Sequence, residues 1–156
     1  MSFHVMPKDL WQIILEYEAP FELLPWIPVG KLNWYYLSKN PHPAAIELLK
    51  KNPEKIDYTW LSKNSHPAAI ELLMENPEKI YWPWLSGNSH PAAIELLVGN
   101  PENIDWSGIS INTHPATIEL LAGNTEKIKW YWVSRNPSIF QPCVRKDVLA
   151  LLRREL

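Results

Sequence analysis

The residues of this chain with the most evident chemical potential come in rows. His42, His66, His90 and His114 recur every 24 residues, and so do Glu47, Glu71, Glu95 and Glu119. Imidazoles are common metal ligands and paired carboxylates are common acid–base couples, so each row invites a reading as a site. Their regularity argues otherwise. In a stack of helices, side chains that recur once per unit lie about 8 to 10 Å apart, whereas zinc needs its nitrogen ligands about 2 Å away. Neighbouring histidines in such a row cannot share one metal ion. Each also stands directly before a proline, where the backbone is biased towards the extended geometry of a turn or helix N-cap. Glu47 precedes Lys50 and Lys51 by three and four residues, the spacing of weak surface pairs on a helix.

No other motif brings chemistry with it. A Gly-rich phosphate loop, a Gly-x-Ser-x-Gly elbow, a metalloprotease helix and a Cys-x-x-Cys pair are all missing from the sequence. An enzyme would have to assemble its site from positions nearly identical in every copy, so no catalytic residue, metal or cofactor is expected. The single cysteine, Cys143, excludes an internal disulfide and favours a reducing compartment. No secretory leader is evident, and no apolar run approaches the ~20 residues that span a bilayer. These features lead to the expectation of a soluble, cytoplasmic protein. A net charge of -2 gives no overall case for nucleic acid or an anionic membrane, although Lys39, Lys50, Lys51, Lys55 and Lys63 crowd the first units.

The elements that position these rows follow from the repeat itself. Leu37-Ser-Lys-Asn-Pro-His-Pro-Ala-Ala-Ile-Glu-Leu-Leu recurs from Leu61, from Leu85 and, blurred, from Ile109, with a half copy at residues 31–36 and a fragment at 133–137. Self-similarity at this spacing implies units that bury their apolar faces only against their neighbours. With Leu37 as position 1, position 7 is always proline (Pro43, Pro67, Pro91, Pro115), followed by Ala, Ile, Glu and Leu. A proline at the first helical position and good helix formers after it predict a helix of eight to ten residues. Asn52, Asn76, Asn100 and Asn124 are expected to stop it in the left-handed conformation.

A second, shorter element is expected from about position 22. Asp57 is a good N-cap, and Ile56 and Leu61 have the spacing of a hydrophobic staple; Asn33 and Asp105 repeat the cap, while Tyr81 and Lys129 do not. Helix, α or 3₁₀, is favoured over a β-strand because an asparagine again follows (Asn40, Asn64, Asn88, Asn112, Asn136). Residues 7–17 and 142–155 each carry an apolar stripe at helical spacing and read as covers for the exposed ends. The expected fold is therefore all-α: a right-handed α-solenoid of 24-residue repeats in one domain. Residues 1–30 form the N-terminal cap, 31–136 the repeats and 137–156 the C-terminal cap.

Two resemblances attach to these motifs. Leu-Ser-x-Asn-Pro, then Pro-x-x-x-x-Leu-Leu, then Asn-Pro-x-x-Ile, resembles the leucine-rich repeat variant, whose 24-residue units alternate α and 3₁₀ helices. The fuller pattern Asn-Pro-Glu-Lys-Ile-Asp-Tyr-Thr-Trp-Leu-Ser-Lys-Asn, with Val133-Ser-Arg-Asn-Pro-Ser-Ile-Phe140 at its end, is similar to a tryptophan-bearing repeat of uncharacterised giant DNA virus proteins. The matches cover about two-thirds of the chain. They imply an all-α solenoid and a viral protein of the host cytoplasm or virion, with no activity attached. Separately, Met6-Pro-Lys-Asp-Leu-Trp-Gln-Ile-Ile-Leu15 resembles the first helix of an F-box. That would imply a ubiquitin-ligase adaptor meeting a Skp1-type partner through Leu10 and Ile14; the alternative is a plain capping helix.

The aromatics are the better functional lead. Position 22 holds Trp34, Tyr58, Trp82, Trp106 and Trp130, and position 24 holds Tyr36, Trp60, Trp84, Gly108 and Trp132. Residues two apart cannot both point squarely inward, so one column should be core and the other partly exposed. Either both columns are packing, or one is a ridge that anchors a partner. Gly108 should leave a notch between Trp84 and Trp132, or a shifted backbone with Ile111 filling the space. Positions 23 and 3 share a helix face and differ most between copies: Tyr35 with Lys39, Thr59 with Lys63, Pro83 with Gly87, Ser107 with Ile111, Tyr131 with Arg135. Positions 14 and 15 also vary. The expectation is a non-enzymatic protein–protein interaction module, binding an unknown protein through residues drawn from Tyr35, Lys39, Thr59, Lys63, Trp84, Gly108, Ile111, Tyr131, Trp132 and Arg135. A virion structural component is the further alternative.

Overall fold

The computed structural model describes residues 22–140. These residues are helical, with no strand among them. Two kinds of α-helix alternate. The short ones are α1 (Trp34–Lys39), α3 (Tyr58–Leu61), α5 (Trp82–Ser86), α7 (Trp106–Ile111) and α9 (Trp130–Val133); the longer ones are α2 (Pro43–Lys50), α4 (Pro67–Met74), α6 (Pro91–Val98) and α8 (Pro115–Ala122). A 3₁₀ turn follows each longer helix, at Pro53–Lys55, Pro77–Lys79, Pro101–Asn103 and Thr125–Lys127.

The longer helices begin where their prolines place them. The preceding histidine is extended, and its ring Nδ1 accepts the amide of the alanine two residues on at 3.2 Å, in His42, His66, His90 and His114 alike. The histidine row is thus a row of N-caps. The inward stripe of Ala45, Ile46 and Leu49 recurs as Ala69, Ile70 and Leu73, then Ala93, Ile94 and Leu97, all buried. Each such isoleucine or leucine contributes about 1.5 to 3 kcal/mol of transfer free energy.

The longer helices end differently from the expectation. No described residue, glycine included, has positive φ, and the asparagine after each longer helix sits near φ -136, not in the left-handed region. Asn124, followed by threonine, takes the same backbone (ψ 53) as the three followed by proline (ψ 61 to 62), so the conformation does not depend on the proline. The asparagine caps the helix with its side chain instead: Asn52, Asn76, Asn100 and Asn124 donate from Nδ2 to the carbonyls of Leu48, Leu72, Leu96 and Leu120 at 2.8 to 3.0 Å.

The short elements are α-helices rather than strands. Asn33, Asp57 and Asp105 accept the amides of Tyr36, Trp60 and Gly108, while Tyr81 and Lys129 make no such cap. Packing follows sequence order. α1 lies against α3, α5 against α7 and α7 against α9; α2 lies against α4 and α4 against α6; each of α1, α3, α5 and α7 also packs on the longer helix that follows it. Leu61, Leu85, Ile109 and Val133, at position 1, join the inward stripes in one continuous core.

Candidate functional site

Which positions hold the units together, and which are left over, can be read from the hydrogen bonds. At position 2, Ser38, Ser62, Ser86 and Ser110 are fully buried, and each Oγ accepts a main-chain amide 19 residues on: Asp57, Tyr81, Asp105 and Lys129, at 2.9 to 3.1 Å. At position 4, Asn64, Asn88, Asn112 and Asn136 are buried too. The Nδ2 of Asn88 donates to the carbonyls of Ser62 at 3.3 Å and Asn64 at 2.9 Å, while its Oδ1 accepts the amide of His90 at 3.0 Å. Asn64, Asn112 and Asn136 repeat this pattern one unit apart.

Both amide protons of each asparagine are used, and no buried side-chain polar atom among the described residues lacks a partner. In the sequence these asparagines read only as helix stops, and the serines have no evident role. Their invariance in every copy was the available signal.

The glutamate row faces solvent. Glu47, Glu71, Glu95 and Glu119 are exposed, and Glu47 pairs with Lys50 at 3.1 Å. Among the described residues no group of three or more His, Cys, Asp and Glu side chains could hold a metal ion. No described helix is long and apolar enough to cross a membrane.

The aromatic columns fall on opposite sides of the short helices, and neither is core. At position 22, Trp34, Tyr58, Trp82 and Trp106 are half-buried against the core, whereas Trp130 is 66% exposed. Lysines of the 3₁₀ turns cover three of these rings: Lys55 over Trp34, Lys79 over Tyr58 and Lys127 over Trp106, at 4.6 to 4.7 Å. The position-24 column also fails to bury, because leucine, isoleucine and valine at position 1 already fill the layer beneath. Instead Trp60 and Trp84 of this column form a surface ladder with Tyr35 of position 23. Tyr35 contacts Trp60 with ring centroids 4.4 Å apart, and Trp60 contacts Trp84 at 5.9 Å. Lys39 lies over Trp60 at 5.1 Å, and Lys63 over Trp84 at 4.2 Å.

Gly108 interrupts that ladder without leaving a notch. It is buried, and a Cβ built there would lie 2.7 Å from Ser86 Cβ, 2.9 Å from Pro83 O and 3.0 Å from Gly87 N. The backbone of α5 occupies the space a larger side chain would need. Ile111 does not fill it, being 40% exposed. The glycine permits a close approach of α7 to α5, the use expected of a residue without Cβ.

The expected binding residues divide accordingly. Tyr35, Lys39, Thr59, Lys63, Ile111, Tyr131 and Arg135 are exposed, and Trp84 and Trp132 are half-buried beside them. At the far end Tyr131 meets Trp132 edge-on at 5.0 Å, and Arg135 lies over Trp132 at 5.8 Å. Positions 23, 24 and 3 carry no carboxylate in any copy. The nearest ones, Asp57 and Asp105, are turned onto the amides of Trp60 and Gly108. Leu10, Ile14, Cys143 and the helices expected over 7–17 and 142–155 lie outside the described residues. Comparison of the chain with protein-family models, with curated proteins and with solved structures finds no match.

Proposed function

We propose that the chain is a right-handed α-solenoid of 24-residue units that acts by binding a protein partner rather than by catalysis. One observation carries this reading: the serines and asparagines that join successive units are the same in every copy, whereas positions 23 and 3, exposed in every copy except at Ser107, differ from unit to unit. Ser38, Asn64 and their equivalents are fixed by hydrogen bonds across each interface, whereas Tyr35, Lys63, Tyr131 and Arg135 make contacts that stacking does not require. Stacked repeats build extended surfaces of this kind, and large aromatic side chains with cations dominate the energetics of protein interfaces. Kinship with the tryptophan-bearing viral repeat, and with it a role in the host cytoplasm or virion, is proposed from the shared motif alone.

Site-specific photo-crosslinking in cells tests the reading. A crosslinker placed at Tyr35, Lys63 or Tyr131 should trap a common protein, while one at Glu54 or Glu102, on the 3₁₀ turns, should not. Equal trapping from both sets, or none from either, would overturn it.

A further inference from the structure

The face formed by positions 23, 24 and 3 carries cations without carboxylates, whereas the longer helices and the 3₁₀ turns carry both. Its cations are Lys39, Lys63 and Arg135, and its carboxylates are none. The exposed glutamates lie on the other elements: Glu47, Glu71, Glu95 and Glu119 on the longer helices, and Glu54, Glu78, Glu102 and Glu126 on the 3₁₀ turns. Lys39 and Lys63 have no carboxylate partner within ion-pair distance among the described residues. They are seated on indole rings instead, with Lys63 4.2 Å above Trp84 and Lys39 5.1 Å above Trp60. A cation held over a ring has lost part of its rotamer freedom before any partner arrives, which lowers the cost of using it in an interface.

Resting on the protein-binding reading above, we infer that this face, from Tyr35 across Lys39, Trp60 and Lys63 to Trp84, takes an extended acidic peptide segment. Charge complementarity selects the acidic partner, and the half-buried rings of Trp60 and Trp84, with exposed Tyr35 at the end, supply apolar area beside each cation. The spacing selects the form. Successive units lie about 8 to 10 Å apart, and an extended chain of polyproline II form rises about 3.1 Å per residue with three residues per turn, so carboxylates three residues apart share one face and would meet Lys39 and Lys63 in turn. A polyanion such as single-stranded nucleic acid fits less well. Past the two lysines its phosphates would meet only the uncharged Pro83, Gly87, Ser107 and Ile111, on a chain whose net charge is -2.

The test uses the full chain and three fluorescein-labelled probes read by anisotropy. They are a Ser/Pro peptide with glutamate at every third position, the same peptide with glutamine there, and an oligo-dT strand. The glutamate peptide should bind tightest. Combining Lys39→Glu with Lys63→Glu should weaken it about tenfold, as expected for two exposed charge contacts reversed. Lys50→Glu with Lys51→Glu, on a different element, should leave it unchanged, and Lys39→Arg with Lys63→Arg should bind like the parent. Equal binding of the glutamine peptide, equal loss in the Lys50/Lys51 variant, or preference for oligo-dT with a steep fall in salt each overturns the inference. Selection of random displayed peptides on the intact chain separates the two levels. Enriched peptides that bind this face without acidic residues overturn the acidic partner and leave the binding module standing; no enrichment on this face removes both.

Discussion

The side-chain amide of Asn88 donates to the main-chain carbonyl of Asn64, 24 residues earlier, at 2.9 Å, and the carbonyl of Asn88 accepts from Asn112 at 3.0 Å. A second amide proton of Asn88 reaches Ser62 O, and its oxygen takes the amide of His90. One buried side chain thus ties two units together and holds the turn that leads into α6.

Asn88→Ala should therefore be costly. It leaves two carbonyls and one N–H unpaired at an interface closed to water, at about 1 to 3 kcal/mol for each buried group left unsatisfied. A loss of at least about 3 kcal/mol is expected in urea unfolding. Asn40 is exposed, and its side chain is seen only to accept the amide of His42. Asn40→Ala should cost about 1 kcal/mol or less. Equal losses at the two sites would show that the asparagine row is not what joins the units.

Gly108→Ala gains about 1 kcal/mol of helix propensity but sets a Cβ against Ser86 Cβ and the backbone of Pro83. Backbone cannot step aside cheaply, and overpacking of this kind costs about 1 to 3 kcal/mol. The melting temperature should fall, and fall further for Gly108→Trp. Gly87→Ala is the control, since its Cβ would meet nothing closer than Trp84 O at 3.6 Å. It should be neutral or stabilising. A Gly108→Trp protein as stable as the parent would mean that the space is open after all.

His66→Ala should lower stability by about 1 kcal/mol, the usual worth of an N-cap acceptor. His66→Asn keeps an acceptor of the right reach and should recover most of it. Zinc should leave the melting temperature of the parent unchanged, because Nδ1 already accepts from Ala68 and rings recurring about 8 to 10 Å apart cannot share an ion through their other nitrogens. A zinc-dependent rise that His66→Asn abolishes would restore the row as a metal site.

The sequence was most legible where one residue type has one physical use. Proline before Ala-Ala-Ile-Glu-Leu-Leu marked the start of each longer helix to the residue, and Asp57 and Asp105 marked the short ones. It was least legible where the use depends on the neighbouring unit. Ser62 has no evident role and Asn88 looks like an ordinary helix stop until an adjacent unit supplies their partners. The 3₁₀ turns were absorbed into a helix stop, and their leading asparagines were given a left-handed backbone, whereas it is their side chains that cap the helix. The tryptophans misled by their size. Spacing shows that Trp82 and Trp84 point apart, but not that leucines have already filled the layer. Gly108 looked like a missing side chain, whereas it marks an arriving backbone.

A unit deletion tests the architecture on which everything else rests. Removing residues 61–84 joins Trp60 to Leu85 in register and puts Asn88 where Asn64 now meets Ser38 and Asn40. In a stack of interchangeable units, the shortened chain should unfold cooperatively and give an X-ray scattering profile whose maximum dimension is about 8 to 10 Å smaller. A chain that loses its helical circular dichroism, or one whose maximum dimension does not change, would contradict the stack.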